Sequence, residues 1–340
     1  MKDDRSIAVS IVCITYNQAG YIADAIESFL AQEVSFNYEI LIHDDASDDG
    51  TAELVQLYAE RFPDKIVTIL QKENQYSQGI KVIATYVKPR IRGRYVAFCE
   101  GDDFWTDINK LQIQYDYMEA NPECSMCLHN GWNISPNKKR VFNSKPLSRE
   151  ACVFGVEEAI QGLGIKVVTN SFFCRADIYC AEAPEFIRIA PTGDYGRVVA
   201  NALKGYIYYM PQTMSAHRCE ARNSLTERWT KKPELWRQYI ERQMDMLDCL
   251  DRETEYQYTE LIEREKIKQK FDTYFIIGDT NALNIEPYRT MMKQLSFKKK
   301  LQFYHPCLFE VFRSVMRVAR VKNKLIFKRQ LRMYKKRRKF

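Results

Sequence analysis

The sequence lacks any run of 18 or more consecutive apolar residues, and it therefore predicts no membrane-spanning helix. It also lacks the two common glycine-rich phosphate loops, because neither a GxGxxG nor a GxxxxGK(S/T) segment follows any predicted strand. The missing loops count against a dinucleotide-binding dehydrogenase and against a P-loop enzyme. Any nucleotide ligand would have to be held by acidic and aromatic side chains and a metal ion.

Acidic residues are scarce in the last part of the chain. From Arg289 to Phe340 the sequence has 18 basic residues and one acid, Glu310, which gives a local net charge of +17. Residues 1–288 hold 33 basic and 43 acidic residues, a net charge of −10. The overall charge of +7 is thus the sum of an acidic body and a basic tail, and the tail needs its own explanation.

The ten cysteines are scattered, and Cys13, Cys99 and Cys174 lie within apolar stretches. This distribution favours buried, reduced thiols and hence a cytoplasmic protein. The 340-residue length suggests two domains.

Short apolar segments alternate with helical patterns through the first hundred residues. Such alternation predicts an α/β protein whose parallel sheet is covered by helices on both sides. The predicted strands are residues 7–14, 38–43, 66–70 and 95–99, and the predicted helices are 21–31, 51–62 and a segment near 80–88.

Polar clusters follow three of the predicted strands: residues 15–17, Asp44-Asp45 and residues 100–103 (EGDD). Ligands of parallel sheets bind outside the carboxyl ends of the strands. Carboxylates gathered there repel one another unless a cation joins them, and Mg²⁺ or Mn²⁺ prefers such oxygen ligands. The alternative is that the acids cap turns and helices, which we favour for residues 48–51 (DDGT).

Three segments together resemble glycosyltransferase family 2, the inverting enzymes with a GT-A fold. They are VSIVCITYNQAGYIADAIESFLAQ, EILIHDDASDDGT and RGRYVAFCEGDDFW, and the resemblance extends over roughly residues 7–220. It implies a mostly parallel sheet flanked by helices with an α-helical C-terminal extension. The expected parts are a catalytic domain (1–226), a helical extension (227–288) and a basic amphipathic helical tail (289–340).

The resemblance assigns the first set of site residues to the nucleotide sugar. Ile14, Tyr16 and Asn17 match the loop that lines the nucleotide pocket, and Asp45 matches the residue that contacts the nucleobase.

The acidic pair Asp102-Asp103 matches the DXD-type motif on the donor diphosphate. Asp103, the last acid of that motif, is expected to contact the metal ion, Mn²⁺ or Mg²⁺.

The resemblance also implies a catalytic base and a late loop. Asp194 matches the acid that precedes a helix and serves as base; the alternative is an N-cap for a helix from Tyr195. Arg218 matches a residue that binds the donor diphosphate, and Glu220 stands where a histidine ligand of the metal is common. His217 replaces a tyrosine of the family pattern and is either a diphosphate contact or simply packed.

The expected activity is inverting transfer of a sugar from a nucleotide-sugar donor, a UDP-sugar being favoured. The expected acceptor is a hydroxyl of a glycan or of a lipid-linked acceptor in bacterial surface-polysaccharide synthesis. Two alternatives remain open: a metal-dependent nucleotidyltransferase, and a non-catalytic member of the same fold that binds a glycan or a protein partner.

The basic tail has an apolar stripe (Leu308, Phe312, Val315) beside a basic one (Arg313, Arg317) at helical spacing. This pattern predicts docking on an anionic membrane surface, on the cytoplasmic face of the cell membrane. The charge would also attract nucleic acid, but no nucleic-acid motif is present and we expect no such partner. The other possibility is a helix packed on the catalytic domain.

Overall fold

The first half of the chain forms a parallel sheet from the predicted apolar segments. The computed structural model describes residues 6–139, 141–142, 146–219, 232–304, 327–328 and 330. Its first elements are β1 (Val9–Thr15), α1 (Ile22–Leu30), β2 (Tyr38–Asp44), α2 (Thr51–Arg61), β3 (Ile66–Leu70) and β4 (Tyr95–Phe98). Strand β1 lies between β2 and β4, and Ile11 pairs with Ile40 on one side and with Ala97 on the other.

The segment predicted as a helix near 80–88 is irregular. A 3₁₀ turn covers Tyr76–Gln78, one π-helical turn covers Ile83–Val87, and a second 3₁₀ turn covers Lys88–Arg90. Pro89 lies in that last turn and has no amide hydrogen to continue a regular helix.

The second half of the chain completes the sheet with mixed strand directions. Its strands are β5 (Phe104–Trp105), β6 (Cys124–Ile134), β7 (Val141–Phe142), β8 (Cys152–Phe154), β9 (Phe173–Arg175) and β10 (Tyr206–Arg218). The strand order is β3-β2-β1-β4-β9-β6-β10-β5, with β7 beside β6 and β8 beside β10. β9 is antiparallel to both β4 and β6, whereas β6 and β10 are parallel. The predicted GT-A type of α/β fold is thus confirmed.

Helices cover both faces of this sheet. The remaining helices are α3 (Lys110–Ala120), α4 (Val156–Ile160), α5 (Leu163–Lys166), α6 (Ala176–Cys180), α7 (Glu185–Ile189), α8 (Gly193–Ala202), α9 (Pro233–Glu253), α10 (Thr259–Ile277), α11 (Thr280–Leu283), α12 (Tyr288–Gln294) and α13 (Phe297–Tyr304). Consecutive strand residues point to opposite faces, so Ile11 and Ile40 pack with α1 and α3, whereas Val12 and Leu41 pack in a second core with α8 and α9.

Helix α9 belongs to the same core as the sheet. Ile240, Met244 and Leu247 recur at helical spacing and are buried with Ile262 of α10. None of the helices in the described part of the chain has both the length and the apolarity that crossing a membrane requires.

Part of the basic tail packs against strands β5 and β6. Phe327 is buried in a cluster with Phe104 and Trp132, and its ring centroid lies 5.7 Å from that of Trp132. Trp132 Nε1 donates a hydrogen bond of 2.6 Å to Gln330, whose amide in turn faces the carbonyl of Thr213 at 3.4 Å. For Phe327 and Gln330, these contacts match the alternative in which the tail packs on the rest of the protein. The apolar and basic stripes at 308–324 lie outside the described residues.

Lys110 at the start of α3 is buried without a hydrogen-bond partner for its Nζ among the described residues. The ammonium lies 4.1 Å from the ring centroid of Trp105. Burial lowers the pKa of Lys110 to about 7, because the protein interior disfavours its charged form. A protonated Lys110 therefore opposes folding.

We expect Lys110→Met to raise the free energy of unfolding by about 1–3 kcal/mol at pH 6 to 7. The unfolded chain has the higher lysine pKa, so the wild type loses this penalty as the pH rises from about 7 toward about 10.4. Urea unfolding at several pH values measures the effect, and the two stability curves should converge at high pH. A gap that stays constant with pH would contradict the titration of Lys110.

Candidate functional site

The ends of three adjacent parallel strands meet at one edge of the sheet. Thr15 at the end of β1 pairs with Asp44 at the end of β2, and the amide of Gly101, after β4, donates to the carbonyl of Ile14 at 3.0 Å. A Cβ atom at Gly101 would lie 2.7 Å from Thr15 Oγ1, so glycine allows the acidic segment 100–103 to approach β1 this closely. The predicted polar clusters are therefore neighbours in space.

Two of the predicted nucleotide contacts also organise loops at this edge. The Asp45 carboxylate accepts hydrogen bonds from the amides of Gln75 and Tyr76, at 2.9 and 3.0 Å. Asn17, in the left-handed region at φ 53°, accepts from the amide of Asp48 at 2.9 Å. Both side chains tie together loops that follow different strands.

The other two residues predicted to line the nucleotide pocket are Ile14 and Tyr16. Ile14 lines a cavity of about 1810 Å³ beside the sheet edge, and Tyr16 is half-buried next to it. This cavity exceeds the usual ~300–1,000 Å³ of a small-molecule site, so it has room for two substrates.

Three carboxylates cluster after β4. Glu100, Asp102 and Asp103 each offer an oxygen, and these oxygens lie within 4.8 Å of one another. Burial, and then the neighbouring Asp103, raises the pKa of Asp102 to about 7. Burial, Asp102 and Asp194 raise the pKa of Glu100 to about 8. A hard divalent cation would relieve this repulsion, and the all-oxygen donor set suits Mg²⁺ or Mn²⁺.

Asp103, the expected metal ligand, also holds the end of β10 in place. Its carboxylate accepts from the amide of Arg218 at 2.8 Å, from Asn170 Nδ2 at 2.9 Å and from His217 Nδ1 at 3.1 Å. Asn170 belongs to the 3₁₀ turn Thr169–Ser171, and it also contacts the carbonyl of Ala216. Asp103 is therefore both a member of the acidic cluster and its anchor.

His217 belongs to the site rather than to a separate packed position. Burial alone would lower its pKa, but the carboxylates of Asp103, Asp102 and Glu100 together outweigh burial and raise the pKa to about 9. The imidazolium thus lies against the acidic cluster with about a third of its side chain exposed.

Arg218 lies beside the acidic segment, with its guanidinium directed into the protein. Nη1 donates to the carbonyl of Asp102 and Nη2 pairs with Asp24 of α1. The guanidinium also stacks over Phe104, 4.8 Å from the ring centroid. In this structure Arg218 therefore braces the acidic segment. Glu220, the expected second metal ligand, lies outside the described residues.

Asp194 lines the same cavity as Ile14 and Glu100. Helix α8 begins at Gly193 with Thr192 as its N-cap, so the expected start at Tyr195 and the alternative N-cap role of Asp194 are both wrong. The Asp194 carboxylate accepts from Thr169 Oγ1 at 2.9 Å and pairs with Arg197 at 3.2 Å. Its side chain is 38% exposed, and it lines the cavity together with Glu100.

Three residues that shape the site carry no assigned role in the predictions from the sequence. Glu100 is one of the clustered acids, Asn170 links Asp103 to β10, and Asp24 holds the Arg218 guanidinium. The position of Glu100, two residues before Asp102 in the sequence, was a usable signal that Glu100 belongs to the acidic cluster. Asn170 and Asp24 are brought in by long-range contacts.

Comparison with known sequences identifies relatives of the N-terminal part. Residues 10–175 match the model of the family described as glycosyl transferase family 2. An uncharacterized protein of Mycobacterium tuberculosis is 33% identical over 230 residues, covering 67% of this chain. The chain spans only 63% of the length of that relative. TuaG of Bacillus subtilis, named as a teichuronic acid biosynthesis glycosyltransferase, is 36% identical over 110 residues, which are 32% of this chain and 41% of TuaG.

Solved structures share the fold at low sequence identity. S. aureus TarS 1–349 in complex with UDP-GlcNAc superposes with a TM-score of 0.55 at 13% identity, covering 87% of this chain and 78% of TarS 1–349. The mannosyltransferase PcManGT from Pyrobaculum calidifontis, in complex with GDP-Man and Mn²⁺, gives a TM-score of 0.52 at 13% identity over 95% of this chain and 86% of PcManGT. These similarities show the fold alone.

The fold defines the class of the protein: an α/β protein whose sheet is of the GT-A type. The sequence match places residues 10–175 in glycosyl transferase family 2.

Proposed function

We propose that the protein transfers a sugar, with inversion, from a nucleotide-sugar donor to a hydroxyl of a glycan or lipid-linked acceptor in bacterial surface-polysaccharide synthesis. The observation that carries this proposal is that Glu100, a member of the acidic cluster, and Asp194 line one cavity. The teichuronic acid name of TuaG supports the polysaccharide role. The UDP-GlcNAc bound to TarS supports a UDP-sugar donor.

In this proposal the acidic cluster holds the donor end of the reaction. Glu100, Asp102 and Asp103 would bind Mg²⁺ or Mn²⁺, and the ion would offset the charge that develops on the departing nucleoside diphosphate. Asp45, Asn17, Tyr16 and Ile14 would contact the nucleoside from the adjoining strand ends.

Asp194 serves the acceptor end. The acceptor oxygen forms a bond to the anomeric carbon while the bond from that carbon to the diphosphate oxygen breaks. The acceptor proton passes to the Asp194 carboxylate, and the electron pair of the broken bond leaves with the nucleoside diphosphate. Thr169 and Arg197 fix the orientation of this carboxylate through the contacts described above.

Thermal stabilisation by a panel of sugar nucleotides, with and without Mn²⁺, tests donor binding. We expect at least one sugar nucleotide to raise the Tm, and the rise to depend on the metal. Stabilisation by nucleoside triphosphates alone, with no response to sugar nucleotides, would instead support the nucleotidyltransferase alternative.

We also propose that the basic tail docks the protein on the anionic cytoplasmic face of the cell membrane. The support is the local charge of +17, because each basic residue near an anionic surface contributes about 1 kcal/mol. We expect the protein to co-sediment with vesicles containing phosphatidylglycerol, and high salt to release it.

Vesicles of phosphatidylcholine are the control for apolar insertion. Replacing Arg313, Arg317 and Arg320 with glutamine should weaken binding to the anionic vesicles by about tenfold or more. Equal binding of this variant and the wild type would contradict the proposed docking.

A further inference from the structure

Three cationic side chains from separate parts of the chain converge on one wall of the cavity. They are Lys81, in the segment before the π-helical turn, Arg188 of α7 and Arg242 of α9. The Lys81 ammonium donates to the backbone carbonyl of Arg188, and the Arg242 guanidinium lies 3.5 Å from the carbonyl of Ile189. Lys81 and Arg242, which lie outside α7, thus contact the carbonyls of two consecutive residues of α7, Arg188 and Ile189.

Carboxylates of the protein neutralise these three cations only weakly. Arg188 lies 3.5 Å from Glu182, whose side chain is 91% exposed and therefore strongly screened by water. Within the described part of the chain, no carboxylate lies within 4.0 Å of the cationic nitrogens of Lys81 or Arg242. Burial lowers the pKa of Lys81, and repulsion from the neighbouring Arg242 and Arg188 cations lowers it further.

The location of this cluster relates it to the acceptor. Helix α7, which carries Arg188, ends at Ile189, and Asp194 follows five residues later on the next helix of the cavity wall. The donor diphosphate is assigned to the acidic cluster that follows β4. A group bound by the three cations would therefore belong to the substrate whose hydroxyl reaches Asp194.

Phosphate fits this arrangement better than a neutral sugar. Arginine guanidinium groups bind phosphate oxygens with paired hydrogen bonds, and a lysine ammonium adds a point charge. A neutral glycan would bring no negative charge to these three exposed cations, whereas a phosphate group would.

We propose that Lys81, Arg188 and Arg242 form a subsite for a phosphate group carried by the acceptor. The inference rests on the proposed glycosyl transfer, because it assigns the subsite to the acceptor of that reaction. Two sources offer this chemistry: the phosphate of a lipid carrier and the phosphodiesters of a phosphate-bearing polymer.

Calorimetric titration with two phosphate probes tests the subsite. EDTA is present throughout to chelate divalent metal ions, so that the probes cannot bind through a metal at the acidic cluster. The probes are decyl phosphate below its micellar concentration and a glycerol-phosphate oligomer. We expect the Lys81→Gln/Arg242→Gln double variant to bind them about tenfold more weakly, or worse, which is the loss expected for one charge-assisted hydrogen bond. Tighter binding of decyl phosphate than of the oligomer identifies a lipid source, and the reverse order identifies a polymer.

Two controls separate a built subsite from general surface charge. Arg264→Gln removes an exposed arginine of α10 that does not line the cavity, and it should bind both probes like the wild type. Decyl maltoside, which has no phosphate, should not distinguish the double variant from the wild type. Equal phosphate affinity of the double variant and the wild type, or an equal loss in Arg264→Gln, would overturn the subsite.

The sugar-nucleotide stabilisation assay on the same variants distinguishes the two possible failures. Unchanged phosphate binding together with intact stabilisation by a sugar nucleotide overturns the subsite alone. Absence of any sugar-nucleotide stabilisation in the wild type overturns the proposed glycosyl transfer, whatever the phosphate titrations show.

Discussion

Replacing Asp194 with asparagine is expected to lower kcat by about 10²–10⁴-fold while leaving donor binding intact. Asparagine keeps the shape of the side chain and can still meet Thr169 Oγ1, but it cannot accept the acceptor proton. Because the substitution leaves the three carboxylates of the acidic cluster unchanged, metal-supported stabilisation by the donor should match that of the wild type. Steady-state kinetics and Tm measurements separate these two effects.

Asp177→Asn provides the matched control for this experiment. Asp177 is an exposed carboxylate that lines the same cavity, and its replacement changes the cavity charge by the same amount. We expect it to retain turnover. A parallel loss of turnover and donor binding in Asp194→Asn would show that Asp194 is not the base.

The second large effect concerns Asp102, whose replacement by asparagine should abolish metal-supported stabilisation by the donor. The same change should raise the Tm of the metal-free protein, because Asp102 is a buried carboxylate beside Asp103 and burial and that neighbour disfavour its charge. Differential scanning calorimetry with and without Mn²⁺ measures both outcomes.

The adjacent Asp103 provides the comparison for Asp102. Asp103→Ala should also abolish metal-supported donor binding, but it should lower the free energy of unfolding by about 1–3 kcal/mol. It removes the acceptor of three hydrogen bonds, from Asn170, His217 and Arg218, and leaves buried donors unpaired. Full metal-supported donor binding in either variant would contradict the assignment of the cluster to the metal.

The parallel half of the fold could be predicted from the sequence because its signals are local. A short apolar run such as Val9–Thr15 predicts a strand buried on both faces, and the acids of residues 100–103 come shortly after another such run. Parallel register then brings Thr15, Asp44 and the acidic segment to one edge. The grouping of these strand-end residues therefore follows from the order of the parallel strands.

The mixed half of the sheet could not be predicted in the same way. Strand β9 has three residues, Phe173–Arg175, and it is held between β4 and β6 by pairings far apart in the sequence. The ion pair between Asp24 and Arg218 joins residues 194 positions apart. Neither contact leaves a periodic pattern in the sequence, because tertiary packing determines both.

The most direct test of glycosyl transfer is the release of nucleoside diphosphate from sugar nucleotides incubated with the protein and Mn²⁺. The account predicts release from at least one sugar nucleotide, inhibition of that release by EDTA, and about 10²-fold or greater loss of release in Asp194→Asn. It would be contradicted if no sugar nucleotide yielded nucleoside diphosphate while nucleoside triphosphates yielded pyrophosphate.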